Sequence, residues 1–255
     1  MSIIKHELPI LEYDTDATAV IMPDHEHLGV ALPAKAVFAF LGEAVDNYAR
    51  EHGATVVAQF VSMTKRFPVY LLEADGRRIC LVQAPVGASA AAQVLDWLIG
   101  YGVREIITGG SCGVLVDLAE NTFLVPAKAL RAEGTSYHYL PPSRFVEVSP
   151  IARQAIARTL AAHDLPYLEV TTWSTDGFFR ETRDMVAYRK SQGCTVVEME
   201  CAALAACAAM RGATWGEILF TADTLADLDR YDERNWGEEA VERALTLCIE
   251  AVLNI

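Results

Sequence analysis

Short apolar runs alternate with longer amphipathic or alanine-rich stretches along most of the chain. Nine runs have the length and β-branched content of buried strands: 18–22 (TAVIM), 54–60, 69–74, 78–84, 105–110, 122–131, 167–173, 195–200 and 216–222. Six stretches carry helical spacing: 33–50, 89–101, 150–163, 181–191, 200–211 and 236–253. Apolar strands alternating with helices predict an α/β fold. The expected form is a single domain over 1–255, with a central mixed, largely parallel twisted sheet flanked by helices. The Asp-Gly turn in EADGRRI predicts a hairpin. No linker, repeat or low-complexity run divides the chain.

Two stretches break the pattern as polar loops, EGTSYHYLPPSR (133–144) and ADLDRYDERN (226–235). A third break is sharper. In TVVEMECAAL (195–204) two glutamates, Glu198 and Glu200, flank Met199 at the end of an apolar run. On a strand both would point the same way. An unpaired buried carboxylate costs several kcal/mol, so two of them need partners or a task. One partner would be an arginine such as Arg180 or Arg183; one task would be gripping a vicinal diol.

Composition narrows the chemistry. The 255 residues are 52% hydrophobic and 22% charged, with a formal net charge of -13. That balance argues against nucleic acid or an anionic membrane surface as the main partner. No apolar run reaches membrane-spanning length, and the N-terminus does not read as a signal peptide. The six cysteines form no C-x-x-C pair and sit in apolar surroundings, as expected of reduced thiols in a cytoplasmic protein. No metal-ligand spacing stands out; His25 and His27 in PDHEHLG read as a solvated loop.

Ligands of open α/β sheets gather outside the carboxyl ends of strands. Four segments end expected strands there. TGGSCG (108–113) offers Gly110 and Gly113 for close backbone approach and the Ser111 hydroxyl. In TWSTDGFF (172–179), Trp173, Phe178 and Phe179 are candidates to stack on a flat heterocycle or to fill the core. EME carries the two acids. In TADTL (221–225), Asp223 is either a general acid with a raised pKa or a turn aspartate.

In this order the segments GSCGVL, EGTSYHY, WSTDGFFRET, VVEMECAAL and TADTL resemble the nucleoside phosphorylase family, which holds purine nucleoside phosphorylases, uridine phosphorylases and related nucleosidases. The resemblance implies that Glu200 grips the ribose hydroxyls and Met199 packs on the sugar. It places Glu198, Trp173, Cys112 and Gly113 at the base, and Gly110 and Ser111 at phosphate. Asp223 would protonate the leaving base, although Ala222 stands where the family has serine. It further implies phosphate as co-substrate, no cofactor and no metal. A homo-oligomer is expected, in which a histidine such as His6 or His138 crosses between subunits.

Two departures open a rival reading. The family carries GDPxR after its first strand; this chain reads PDHEHLG there instead, with Asp24 and Glu26 in acidic contrast. Thr108 stands where a second phosphate arginine is common. Lys65 or Arg66 would then supply the missing cation. The rivals are a nucleosidase in which Asp24 or Glu26 activates water, a uridine-type phosphorylase, and a nucleoside-binding protein without turnover.

Overall fold

The computed structural model describes residues 2–255. One mixed sheet organises the chain, in the order β11-β10-β8-β12-β7-β3-β6-β5-β4. Its strands are β3 (Lys35–Ala39), β4 (Thr55–Val61), β5 (Arg66–Ala74), β6 (Arg77–Gln83), β7 (Glu105–Val114), β8 (Phe123–Ala132), β10 (Tyr167–Thr175), β11 (Val196–Glu198) and β12 (Thr214–Thr224), with β9 (Phe145–Glu147) hanging on β8. β3, β6, β7 and β12 run parallel, as do β8, β10 and β11. β12 meets β8 antiparallel, and β11 also pairs antiparallel with β7. The path β7-β12-β8-β10-β11 therefore closes on itself, and its strand ends face one another around a small space. The Asp75-Gly76 hairpin joins β5 and β6 as expected.

Helices cover both faces. α2 (Ala88–Gly100) and α5 (Cys201–Arg211) bury one side; α1 (Glu43–Glu51), α3 (Pro150–Ala162) and α6 (Val241–Leu253) bury the other. α4 (Arg183–Ser191) packs against the closed end through Val186. All six cysteines are buried and unpaired. Among the described residues no helix is long and apolar enough to cross a membrane, and no cluster of metal-ligating side chains occurs.

The N-terminal third departs from the sequence expectation. TAVIM is not a strand: Val20 is fully exposed and Ile21 largely so, within an arm that carries the two-residue strands β1 (Ile3–Ile4) and β2 (Tyr13–Asp14) and a short helical turn at Pro9–Leu11. The expected helix 33–50 splits into β3 and α1. KAVFAF is a continuous apolar run, which periodicity alone cannot assign. Gly42 (φ 56°) turns the chain between the two elements in a conformation other residues adopt at a cost. The loop that follows the first strand of the large sheet is thus residues 40–42, not PDHEHLG.

The arm instead lies along α2. The Trp97 indole N–H donates to Glu26 at 2.9 Å, and Pro23 packs against Gly100. The strand expected over 195–200 also ends early, at Glu198, because α5 starts at Cys201.

Candidate active site

Strand ends β7, β11 and β12, together with the Met199-Glu200 turn before α5, enclose a cavity of about 180 Å³. Gly110, Ser111, Cys112, Gly113, Glu198, Met199, Glu200 and Asp223 line it together, although they come from distant parts of the chain. Phe40, Val86, Phe178, Glu181, Val197, Glu217, Leu219 and Trp236 complete the wall. A larger cavity of about 470 Å³ adjoins it, sharing Phe178, Glu181, Asp223 and Trp236. The inner cavity alone is smaller than the ~300–1,000 Å³ common for ligand pockets; with the outer one the space falls in that range.

The two acids of the EME motif part company. Glu198 faces inward and is saturated. Its Oε1 accepts from Thr172 Oγ1 at 3.0 Å and Ser174 Oγ at 2.6 Å; its Oε2 accepts the N–H groups of Glu200 and Cys201, both at 2.6 Å. Those last two donors are the open N–H groups at the start of α5, so Glu198 caps that helix from within the sheet. Four donors thus reach its two oxygens, while the residue itself lines the cavity where the resemblance places it. Burial raises its pKa, against the hydrogen bonds that favour the carboxylate.

Glu200 takes the N–H of Gly87, just before α2, at 2.5 Å. Burial, then the charge of Glu198, pushes its pKa up to about 8. Neither acid pairs with Arg180 or Arg183; Arg183 pairs with Asp229 at the surface.

Asp223 owes its aim to a bulge. Between Thr221↔Cys112 and Thr224↔Val114, β12 has one more residue than β7. The extra residue turns the side chain toward the cavity over Gly113. A Cβ on Gly113 would stand 3.1 Å from Asp223 Oδ1, so glycine makes room for the carboxyl. Burial raises the Asp223 pKa, opposed by hydrogen bonding from Tyr231 and by the Arg234 charge.

Two acids escaped sequence reasoning. Glu181 follows the short helical turn Phe178–Arg180, and its pKa is pushed up to about 7 by burial and then by Asp223. Glu217, in mid-strand β12, is 2% exposed, and its Oε2 has no partner. Burial, then the charges of Glu198 and Glu200, raises its pKa well above the ordinary range. The alternation of β12 was the available signal: Trp215, Glu217 and Leu219 share a face.

Other expectations are corrected. Trp173 is 2% exposed and packs with Leu130, Val186 and Val197, outside both cavities. Its neighbours Thr172 and Ser174 reach Glu198, so alternation turns Trp173 to the opposite side. Lys65 and Arg66 are exposed at the β4–β5 hairpin and line neither cavity. His25 and His138 line a different cavity, beside Asp96 and Arg211. His6 lies exposed in the arm, its Nδ1 accepting from the Leu8 N–H. Asp24 and Glu26, carried by that arm, are absent from both cavity walls. Thr108 is committed to the core, accepting the Trp215 indole N–H at 2.8 Å.

A mixed α/β sheet closed in this way, with a cavity at its strand ends, is the fold of solved nucleosidases and nucleoside phosphorylases. Residues 35–254 match the model of the phosphorylase superfamily, and the chain belongs to that family. A guanosine phosphorylase from Halorubrum lacusprofundi is 24% identical over 206 residues, covering 76% of this chain and 84% of its own. An AMP nucleosidase from Bacteroides thetaiotaomicron superposes with a TM-score of 0.71 at 22% identity, covering 87% of this chain and 88% of its own. A uridine phosphorylase from Vibrio fischeri also gives 0.71, at 21% identity, covering 88% and 94%. The match begins at β3, so the arm lies outside the family unit.

Proposed function

We propose that this protein cleaves the N-glycosidic bond of a purine nucleoside and passes the sugar to phosphate. The observation that carries the reading is Asp223: a buried carboxyl with a raised pKa, aimed across one small cavity from Glu200 and Met199. As the C1′–N bond breaks, its electron pair moves onto the base. Asp223 gives its proton to the base, and a phosphate oxygen bonds to C1′, leaving free base and sugar 1-phosphate. Glu200 holds the sugar hydroxyls, pinned by Gly87, while Met199 covers the sugar face. Gly110 and Ser111 offer backbone and hydroxyl contacts to phosphate, and Cys112 and Gly113 the inner wall toward the base. No cofactor enters this scheme.

One observation favours water as the nucleophile instead. Among the described residues the inner cavity is lined by five carboxyl side chains and no cation. A phosphate dianion there needs charge from elsewhere. The phosphorolytic reading draws it from Lys65 or Arg66 of a second copy. The edge strand β4 supports such association, exposing Val56, Val57 and Val61 beside Met63. The all-reduced, buried cysteines accord with a cytoplasmic site of action.

The test is base release from purine and pyrimidine nucleosides with and without phosphate, alongside Asp223→Asn. Release that requires phosphate, cut roughly 10²–10⁴-fold in the variant, is the expected result. Release independent of phosphate moves the reaction to hydrolysis. Turnover untouched in Asp223→Asn refutes the acid.

A further inference from the structure

The outer cavity has no role in the scheme above, and its walls differ from those of the inner one. It measures about 470 Å³ and shares only Phe178, Glu181, Asp223 and Trp236 with its neighbour. Met199, Glu200, Gly110 and Ser111 stay on the inner side. In the proposed scheme the junction thus lies at the base, away from the groups assigned to sugar and phosphate.

Aromatic side chains collect around this space. Five are exposed among the described residues, and four of the five, Phe178, Phe179, Tyr231 and Trp236, line it. Phe179 is 92% exposed and stands edge-on to Phe178, with ring centroids 5.0 Å apart. Exposed apolar rings gathered in one place mark a binding surface, whereas scattered ones need no explanation. Leu225 and Leu228 complete the apolar wall and pack on the buried cluster that holds Leu115 and Val197, which anchors it. The one cation in the wall, Arg183, is paired with Asp229, and Glu181 and Asp227 add acid. A neutral group suits this lining; an anionic one meets two carboxyls and no free cation.

We propose that the outer cavity is a subsite for a neutral alkyl or aryl group carried at position 6 of the purine, so that base-extended nucleosides are preferred to the plain nucleoside. The inference rests on the reading of Asp223 as the acid facing the base.

Purine geometry supplies the direction. With the sugar on N9, the free nitrogen of the five-membered ring is N7, and the group at position 6 lies beside N7 on the same edge. A base that presents N7 to Asp223 points that group past Asp223, where the outer cavity opens. A plain nucleoside leaves the aromatic wall in water. A benzyl-sized group covers it and removes its own apolar surface from water as well.

The experiment measures kcat/KM for adenosine, N6-benzyladenosine and 5′-benzylthio-5′-deoxyadenosine in the unmodified enzyme, Phe179→Ala and Leu228→Trp. The expected result is a preference of at least about tenfold for N6-benzyladenosine over adenosine, with no gain from the sugar-linked benzyl group. A carboxyl on the benzyl ring abolishes the gain. Phe179→Ala, at an exposed position, lowers the preference about threefold or more. Leu228→Trp fills the cavity and removes the preference, leaving adenosine within about threefold. Adenosine preferred, a gain only from the sugar-linked group, or a preference unchanged in both variants overturns the proposal. So does an oligomer that dissociates in Phe179→Ala on sedimentation while the preference stays intact, since a second copy then occupies the cavity. If neither adenosine nor N6-benzyladenosine is cleaved, the proposed reaction fails for 6-aminopurines, and calorimetric binding of adenine and N6-benzyladenine decides this assignment. Tighter binding of the benzyl base, lost in Leu228→Trp, supports it; equal binding refutes it.

Discussion

At the scale of single residues, the site depends on who is opposite whom. Gly113 is required because Asp223 Oδ1, Leu225 Cδ1 and Val197 Cγ1 would all stand 3.1 Å from an added Cβ. Gly113→Ala is expected to push Asp223 out of line, lowering kcat about tenfold or more while costing about 1–3 kcal/mol of stability. Steady-state kinetics beside a urea titration separates the two effects, and an unchanged kcat would show that Asp223 does not need this berth. The candidate residues Gly113, Glu200 and Asp223 were legible from residue type and segment order. Glu217 was not, because a lone glutamate in GEILF reads as an ordinary break in an apolar run until the folded sheet sets it in the cavity wall with Glu198 and Glu200.

At the scale of elements, Glu198 couples a strand to a helix. It ties β10, through Thr172 and Ser174, to the first N–H groups of α5. Ser174 completes the tie by accepting the Ala202 N–H at 2.9 Å. Glu198→Ala should strand these donors and cost about 3 kcal/mol or more, with Glu200 displaced as α5 loosens. Glu198→Gln should retain the fold at a smaller cost, since the amide oxygen still accepts. Denaturant midpoints of the two variants check the order; equal midpoints would reduce Glu198 to a bystander. The resemblance had assigned this glutamate to the base. Only the register of β11 against β10 reveals that its acceptors are already taken.

At the scale of the whole molecule, the closed end of the sheet gathers Glu181, Glu198, Glu200, Glu217 and Asp223 around one cavity. Folding raises the pKa of each. An acid whose pKa is raised on folding binds more protons folded than unfolded. Its contribution is complete below the unfolded value and lost as pH rises through the folded one. For Glu181 and Glu200 that window runs from their ordinary 4.5 to about 7 and about 8. The ligand-free protein should therefore melt at a lower temperature at pH 8 than at pH 6, and Glu200→Gln should weaken that dependence. Melting scans across this range test it; a melting temperature rising with pH would contradict the buried cluster.

The alternation of apolar runs was enough to determine the α/β class, the central strands, the six-helix complement in outline and the segments that end at the cavity, since burial demands those patterns wherever they fall. It misplaced the first strand, because KAVFAF and TAVIM are equally apolar and only sheet neighbours distinguish them. It also put Trp173 and the acidic arm at the cavity, where the structure does not place them. Which side of a strand meets the cavity, which acceptor is already filled, and which loop follows the first core strand all depend on pairing across the sheet. Those relations join residues far apart in the chain, so the tertiary structure alone decided them.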